Sequence, residues 1–409
     1  MSTAITAASA QYYIDLEEKY GAHNYHPLPV VLTKGYGVYV WDVDGKRYYD
    51  FLSGYSAVNQ GHCHPRIVSV LTDQAHRLTL TSRAFYNDLL GPYEEYITQL
   101  FGYDKVLPMN TGVEAVETAI KLCRRWGYAV KGIQENEAKI IVCEHNFHGR
   151  TSTVISFSTD PSAHNQFGPY MSGFMAIPYN DINALQRALQ DETVAGFLVE
   201  PIQGEAGVVV PDEGYLSKAK ALCTAANVLF IADEIQTGLG RTGKMLACDY
   251  EEVHPDILIL GKALSGGTLP ISAVLADDEI MLTIKPGEHG STYGGNPLAC
   301  KVAITALQVL IDEQMAQNAA DLGDYFRQQI EQLASPHIKL IRGKGLLNAI
   351  VMNHADKEAA WQLCLLLKEG GLLAKPTHGD KIRLAPPLTI TKEQLDECTA
   401  IIEKALKQL

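Results

Sequence analysis

The chain has 409 residues, 46% hydrophobic and 20% charged, enough for a large core with a second, smaller unit beside it. Its formal net charge of −13 argues against nucleic-acid binding, which needs a basic surface to displace counterions. No run approaches the roughly 18 apolar residues of a membrane-spanning helix.

The first eleven residues, Met1 to Gln11, carry no Lys or Arg. They lack the basic start and apolar centre of a secretory signal and the arginines of a transit peptide. The eight cysteines are scattered without a CxxC pair, which suits reduced, mostly buried thiols. The expected setting is cytoplasmic, with a mature mitochondrial form as the other option.

After a segment with Tyr25, His26, Pro27 and Pro29, Val38–Trp41 and Arg47–Phe51 predict a hairpin turning at Asp44-Gly45. From about residue 105 strand and helix alternate. Ile140–Cys143, Gly196–Val199, Val228–Ala232, Ile257–Leu260 and Ala273–Ala276 are short continuous apolar runs, as in strands covered on both faces. Between them, Val116, Ile120 and Cys123 share one helical face. The alternation predicts an α/β fold with a mostly parallel sheet. From about Leu298 the pattern changes to long helices, strands at Leu346–Met352, Gly371–Lys375 and Ile382–Leu384, and a last helix opened by a capping box from Thr391 to Gln394. That suits a smaller α+β unit. The expected division is an N-terminal segment (1–50), a large domain (51–297) and a small C-terminal domain (298–409).

Chemistry gathers at the predicted strand ends. Asp233-Glu234 follow one strand and Gly261-Lys262 the next, so two carboxyl edges would offer an acid and an amine to one crevice. As a pair they are equally compatible with solvated loop residues. Thr111-Gly112-Val113 opens the helix holding Val116, where free backbone N–H groups suit a phosphate, although a Thr N-cap alone is common. Phe147 follows another strand edge and could stack on a planar ring, or be ordinary core. Together they supply the parts needed to use an aldehyde cofactor with a pyridine ring: a condensing lysine, a carboxylate for the ring nitrogen, a phosphate cup and a stacking ring.

Two motifs point elsewhere. Gly238–Lys244 matches the start of a P-loop, but Met245 stands where a Ser or Thr should hold Mg²⁺. His62-Cys63-His64 has metal-ligand types without a visible third and fourth ligand, so no metal is expected.

The stretch Phe230–Gly238, with Asp256 and Gly261-Lys262 downstream, resembles the signature of class III aminotransferases dependent on pyridoxal 5′-phosphate (PLP). The resemblance implies fold type I: a mostly parallel seven-stranded sheet flanked by helices, a smaller α+β domain, and a homodimer with active sites at its interface. It implies that Lys262 carries the cofactor as a Schiff base and that Asp233 pairs with the pyridine nitrogen. Gln236 would contact the ring hydroxyl, Phe147 would stack, and Thr111, Gly112 and Val113 would hold the phosphate, with Ser291 and Thr292 reaching the partner's.

Over nearly its whole length the chain resembles the ornithine δ-aminotransferase branch of that class, in Tyr20–Pro27, Gly54–His62, Glu200–Gly207 and Lys375–Asp380 among other stretches. That likeness implies ping-pong transfer of the δ-amino group of L-ornithine to 2-oxoglutarate. Tyr25 and Arg150 would grip ornithine's distal groups, Arg383 would bind the α-carboxylate of glutamate or 2-oxoglutarate, Glu205 would mask Arg383 while ornithine is bound, and Tyr55 would shape the pocket. His148 stands where animal members commonly carry Trp, a departure expected to touch packing or substrate affinity. The alternatives are acetylornithine or 4-aminobutyrate as amino donor, or a non-catalytic ligand-binding relative.

Overall fold

The computed structural model describes residues 9–353, 357–377 and 379–409. The start of the Lys/Arg-free opening segment (residues 1–8) and His378 in the Lys375–Asp380 stretch lie outside the described residues.

A seven-stranded sheet forms the centre, in the order Lys105–Met109, Ser272–Ala276, Ile257–Leu260, Leu229–Asp233, Val194–Val199, Lys139–Cys143, Phe174–Ile177. Ser272–Ala276 runs antiparallel to both its neighbours, and every other pairing is parallel. The inner strands are buried along their length, which is why they read as unbroken apolar runs. The two edge strands were not legible. Lys105–Met109 contains Pro108, which edge strands tolerate because one side needs no N–H donor. Phe174–Ile177 is only partly covered.

Helix Gly112–Ala129 buries Val116, Ile120 and Cys123 against this sheet, and a reciprocal capping box joins Thr111 and Glu114 at its start. The N-terminal hairpin forms as expected, Tyr39–Asp42 against Arg47–Asp50. Leu372–Leu373, far along the chain, adds a parallel strand to it. Near the C-terminus Ile338–Lys344, Leu347–Met352, Lys381–Leu384 and Lys375–Thr377 make a four-stranded antiparallel sheet. Helix Met315–Gln332 packs on it, and helix Lys392–Leu406, opened by the Thr391–Gln394 capping box, packs in turn on that helix.

The P-loop-like stretch is structural. Arg241 is 0% exposed and donates to Asn59 Oδ1, Leu346 O and Pro386 O. Its guanidinium is thereby committed to tying the Gly238–Lys244 loop to three distant segments. His62 and His64 pair separately, with Asp50 and Glu313. Among the described residues, no group of three or more His, Cys, Asp or Glu side chains is placed to hold a metal. Nor is any helix among them long and apolar enough to cross a membrane.

Candidate active site

Strands Leu229–Asp233 and Ile257–Leu260 are parallel neighbours, with Asp233 opposite Ile259. Their carboxyl ends therefore deliver Asp233 and Lys262 to one place. Both face a cavity of about 220 Å³ that also meets Gly112, Val113, Phe147 and Gln236. Six of the residues assigned to cofactor binding thus line one cavity, although they come from four segments of the chain.

Lys262 is partly buried, and desolvation lowers its amine's pKa, against the opposing pull of Asp233 and Glu205. Its backbone has φ 44°, a left-handed conformation that costs a non-glycine residue about 1 kcal/mol and concentrates at functional sites. Asp233 is 4% exposed. Its Oδ1 accepts from the Ile235 N–H at 3.1 Å, and its Oδ2 lies 2.6 Å from Nδ1 of His148. The Phe147 ring wall is fixed by its own backbone, whose N–H donates to Glu200 Oε2 at 2.9 Å.

The first-turn N–H groups of Gly112 and Val113 have no intrahelical carbonyl to reach, so they stay available to an anion. The Thr111 hydroxyl and N–H are taken up by Glu114 in the capping box, and Thr111 does not line the cavity. These features fit PLP: a desolvated amine, a buried carboxylate, an aromatic wall and an open helix N-terminus around one small cavity.

Arg383 enters from strand Lys381–Leu384 of the C-terminal sheet and is 1% exposed. It donates to Glu205 Oε1 at 2.9 Å and to Gln236 Oε1 at 3.1 Å, while Gln236 Nε2 donates back to Glu205 Oε1 at 3.1 Å. The three side chains close a triangle. Burial works against the Glu205 carboxylate, but Arg383, the Gln236 hydrogen bond and Lys262 together hold its pKa below the usual value. Tyr55 turns its ring to Arg383, 5.4 Å from the guanidinium. Burial, then Glu205, raises the Tyr55 phenol.

The remaining assigned residues lie outside this space. Arg150 is exposed, its guanidinium 5.5 Å from the Phe147 ring centre. Tyr25 is 74% exposed, yet close enough to act electrostatically on Tyr55. Ser291 accepts from Asn110 Nδ2 at 2.7 Å, and Thr292 is exposed. Asp256 sits at the opposite end of its strand, accepting from the Phe230 N–H and pairing with Lys220. A larger cleft of about 780 Å³ shares Phe147, His148 and Gly149 with the cavity and extends to Glu205, Arg342 and Lys381.

Three features escaped the sequence reading: the His148–Asp233 contact, the role of Gln236 as third corner of the Arg383 triangle, and Glu200. Glu200 follows strand Val194–Val199, so the strand-end rule that singled out Asp233 and Lys262 would have found it. Burial pushes its carboxyl up to about 7, with His148 opposing.

Glu234, next to Asp233, turns away from the cavity to the Thr237 hydroxyl and the Cys248 N–H. Burial pushes it up to about 7 as well, with Thr237 opposing. An unfolded Glu titrates near about 4.3, so the folded chain holds this proton more tightly. Its stabilising contribution is full below the unfolded value and is lost as pH rises through about 7. Glu234→Gln, uncharged throughout, is expected to raise the thermal midpoint near pH 8.5 and leave it little changed near pH 5; equal shifts at both would contradict this account.

A mostly parallel seven-stranded sheet with a lysine and a buried aspartate on neighbouring strand ends defines the architecture of PLP-dependent aminotransferases. Residues 20–406 match the family Aminotransferase class-III, and the chain belongs to that family. It is 62% identical to the mitochondrial ornithine aminotransferase of Rattus norvegicus, over 97% of this chain and 91% of that protein. It is 57% identical to the ornithine aminotransferase of Plasmodium falciparum, over 98% of this chain and 97% of that one. Among solved structures, the ornithine aminotransferase of Toxoplasma gondii superposes with a TM-score of 0.96 at 50% identity, covering 98% of this chain and 95% of the other. A structure named as acetylornithine aminotransferase from Elizabethkingia anophelis does so at 0.91 and 60% identity, covering 98% and 100%.

Proposed function

We propose that the protein transfers the δ-amino group of L-ornithine to 2-oxoglutarate, releasing glutamate 5-semialdehyde and L-glutamate in a ping-pong cycle. The observation that carries this reading is the Glu205–Arg383–Gln236 triangle beside Lys262. Ornithine must offer its terminal amine with the α-carboxylate far from the cofactor, whereas glutamate reacts at its α-amine with that carboxylate close by. One cationic site must therefore be hidden in one half-reaction and open in the other.

PLP, when bound, supplies an aldehyde that condenses with amines and a ring that draws electrons from the bonds of the attached carbon. Gly112 and Val113 N–H groups would hold its phosphate, Phe147 would stack on its ring, Gln236 would contact its hydroxyl and Asp233 would keep its nitrogen protonated. Lys262 Nζ, its basicity lowered by burial, takes the proton from ornithine's δ-carbon and returns it one position along. Arg150 and Tyr25 hold the distal carboxylate and α-amine. Glu205 neutralises Arg383 during this half-reaction. When 2-oxoglutarate enters, Glu205 gives way, Arg383 takes the α-carboxylate, and Arg150 takes the far one. Tyr55 lines the space between.

Ser291 and Thr292 reach the partner's phosphate in a homodimer with active sites at the interface; a monomer in sedimentation at assay concentration would remove that assignment. The cytoplasmic setting belongs to the same proposal.

The 60% identity to a protein named as an acetylornithine aminotransferase favours a second reading, with the acetylated amine as donor. Tyr25 supports free ornithine, since its hydroxyl can meet a charged α-amine that acetylation eliminates. Trapping the cyclised semialdehyde with o-aminobenzaldehyde tests δ-transfer directly. The kcat/KM values for ornithine, acetylornithine and 4-aminobutyrate are expected to rank ornithine first, and another order would replace the assignment. A protein that stays colourless after incubation with PLP would instead support a non-catalytic role.

A further inference from the structure

We infer that His148 is a positioning residue for the cofactor: its Nδ1–H fixes the rotation of the Asp233 carboxylate and stabilises its negative charge toward the PLP ring nitrogen. This rests on the PLP reading above.

The contact is buried on both sides. The His148 side chain is 0% exposed and that of Asp233 4%, with Nδ1 and Oδ2 2.6 Å apart. At that distance the proton lies between them, because the other tautomer would set two lone pairs against each other. Asp233 thus receives one donor on each oxygen, His148 on Oδ2 and the Ile235 N–H on Oδ1. Two donors on different oxygens pin the carboxylate's rotation and leave its remaining lone pairs for the cavity. A buried carboxylate without donors is costly, so the imidazole also supports the charge Asp233 must carry.

His148 is itself held in place. Its ring packs 5.9 Å from that of Phe157, and its chain neighbour Phe147 is anchored through its N–H to Glu200. One dipeptide therefore places both the stacking ring and the carboxylate's partner. His148 Nε2 is buried without a hydrogen-bond partner among the described residues, so the residue's polar work is done through Nδ1. Glu200 and Asp233 are the carboxylates that act on the imidazole, and together they hold its pKa above the ordinary value although burial opposes this.

The test uses the apo protein titrated with PLP, and PLP labelled with ¹⁵N in its ring. His148→Leu is expected to weaken PLP binding by about tenfold, the effect of stranding a buried acceptor, and to move the ring ¹⁵N signal toward the unprotonated position. His148→Asn places an amide N–H near the Nδ1 position and is expected to stay within about threefold of the wild type, with the ¹⁵N signal retained. Wild-type affinity and signal in His148→Leu would overturn the proposal. So would an Asn variant that falls as far as Leu, since packing alone would then explain both. Should the Leu variant not fold, the wild-type holoenzyme labelled with ¹⁵N-histidine decides: one strongly deshielded imidazole N–H, lost in His148→Asn, is expected, and its absence in the wild type overturns the role. A wild type that binds no PLP would instead remove the cofactor reading itself, and this inference with it.

Discussion

Lys262→Ala is expected to lower kcat/KM for ornithine by on the order of 10⁴-fold while the chain still folds. The amine stands just past the end of Ile257–Leu260, its basicity lowered by desolvation, with Asp233, Glu205, Arg383 and Glu200 acting on it electrostatically. No second lysine meets the cavity, so nothing else there can both condense with an aldehyde and carry the proton between carbons. Folding should survive because the substitution removes a desolvated cation and keeps the surrounding hydrogen bonds of Asp233 and Arg383. Steady-state rates and a thermal melt on the same preparation check this. Turnover above about 1% of wild type would overturn the role of Lys262, whereas loss of the melt would mean that folding and not chemistry had been disturbed.

Glu205→Ala is expected to shift preference from ornithine toward α-amino donors. Arg383 is almost completely buried, and its Nε has no partner among the described residues. Removing Glu205 leaves the guanidinium with Gln236 alone, a buried cation short of an acceptor. An incoming α-carboxylate can satisfy it, so glutamate gains while ornithine loses the mask that kept its carboxylate distal. The ratio of kcat/KM for glutamate to that for ornithine should rise about tenfold, corresponding to about 1.4 kcal/mol of differential binding. Folding stability should fall by about 1–3 kcal/mol, because the stranded group is charged. A ratio unchanged within error would eliminate the mask and leave the triangle as a structural clamp.

The same geometry explains why some of the site could be read in advance. Asp233 and Lys262 were legible because a buried parallel strand is a short apolar run, and the residues just past its carboxyl end must face a crevice. The helix start at Gly112 was legible from Thr111 and Glu114, whose capping box is local. The edge strand Lys105–Met109 was not, since Pro108 and half-exposed positions weaken the apolar signal. Arg150, Tyr25, Ser291 and Thr292 drew attention through resemblance alone, and the chain by itself does not bring them into the cavity.

By itself, then, the amino-acid order determined the local elements and the identity of the reactive groups: caps, apolar runs, and which polar residues follow them. Only the tertiary structure decided which of those groups meet. Arg383 lies 178 residues from Glu205 and 147 from Gln236, and His148 lies 85 from Asp233. Such pairings depend on strand order and on how the C-terminal sheet sits against the central one. Periodicity and capping report on neighbours within a few positions, so they carry no record of contacts that loop closure over such separations creates.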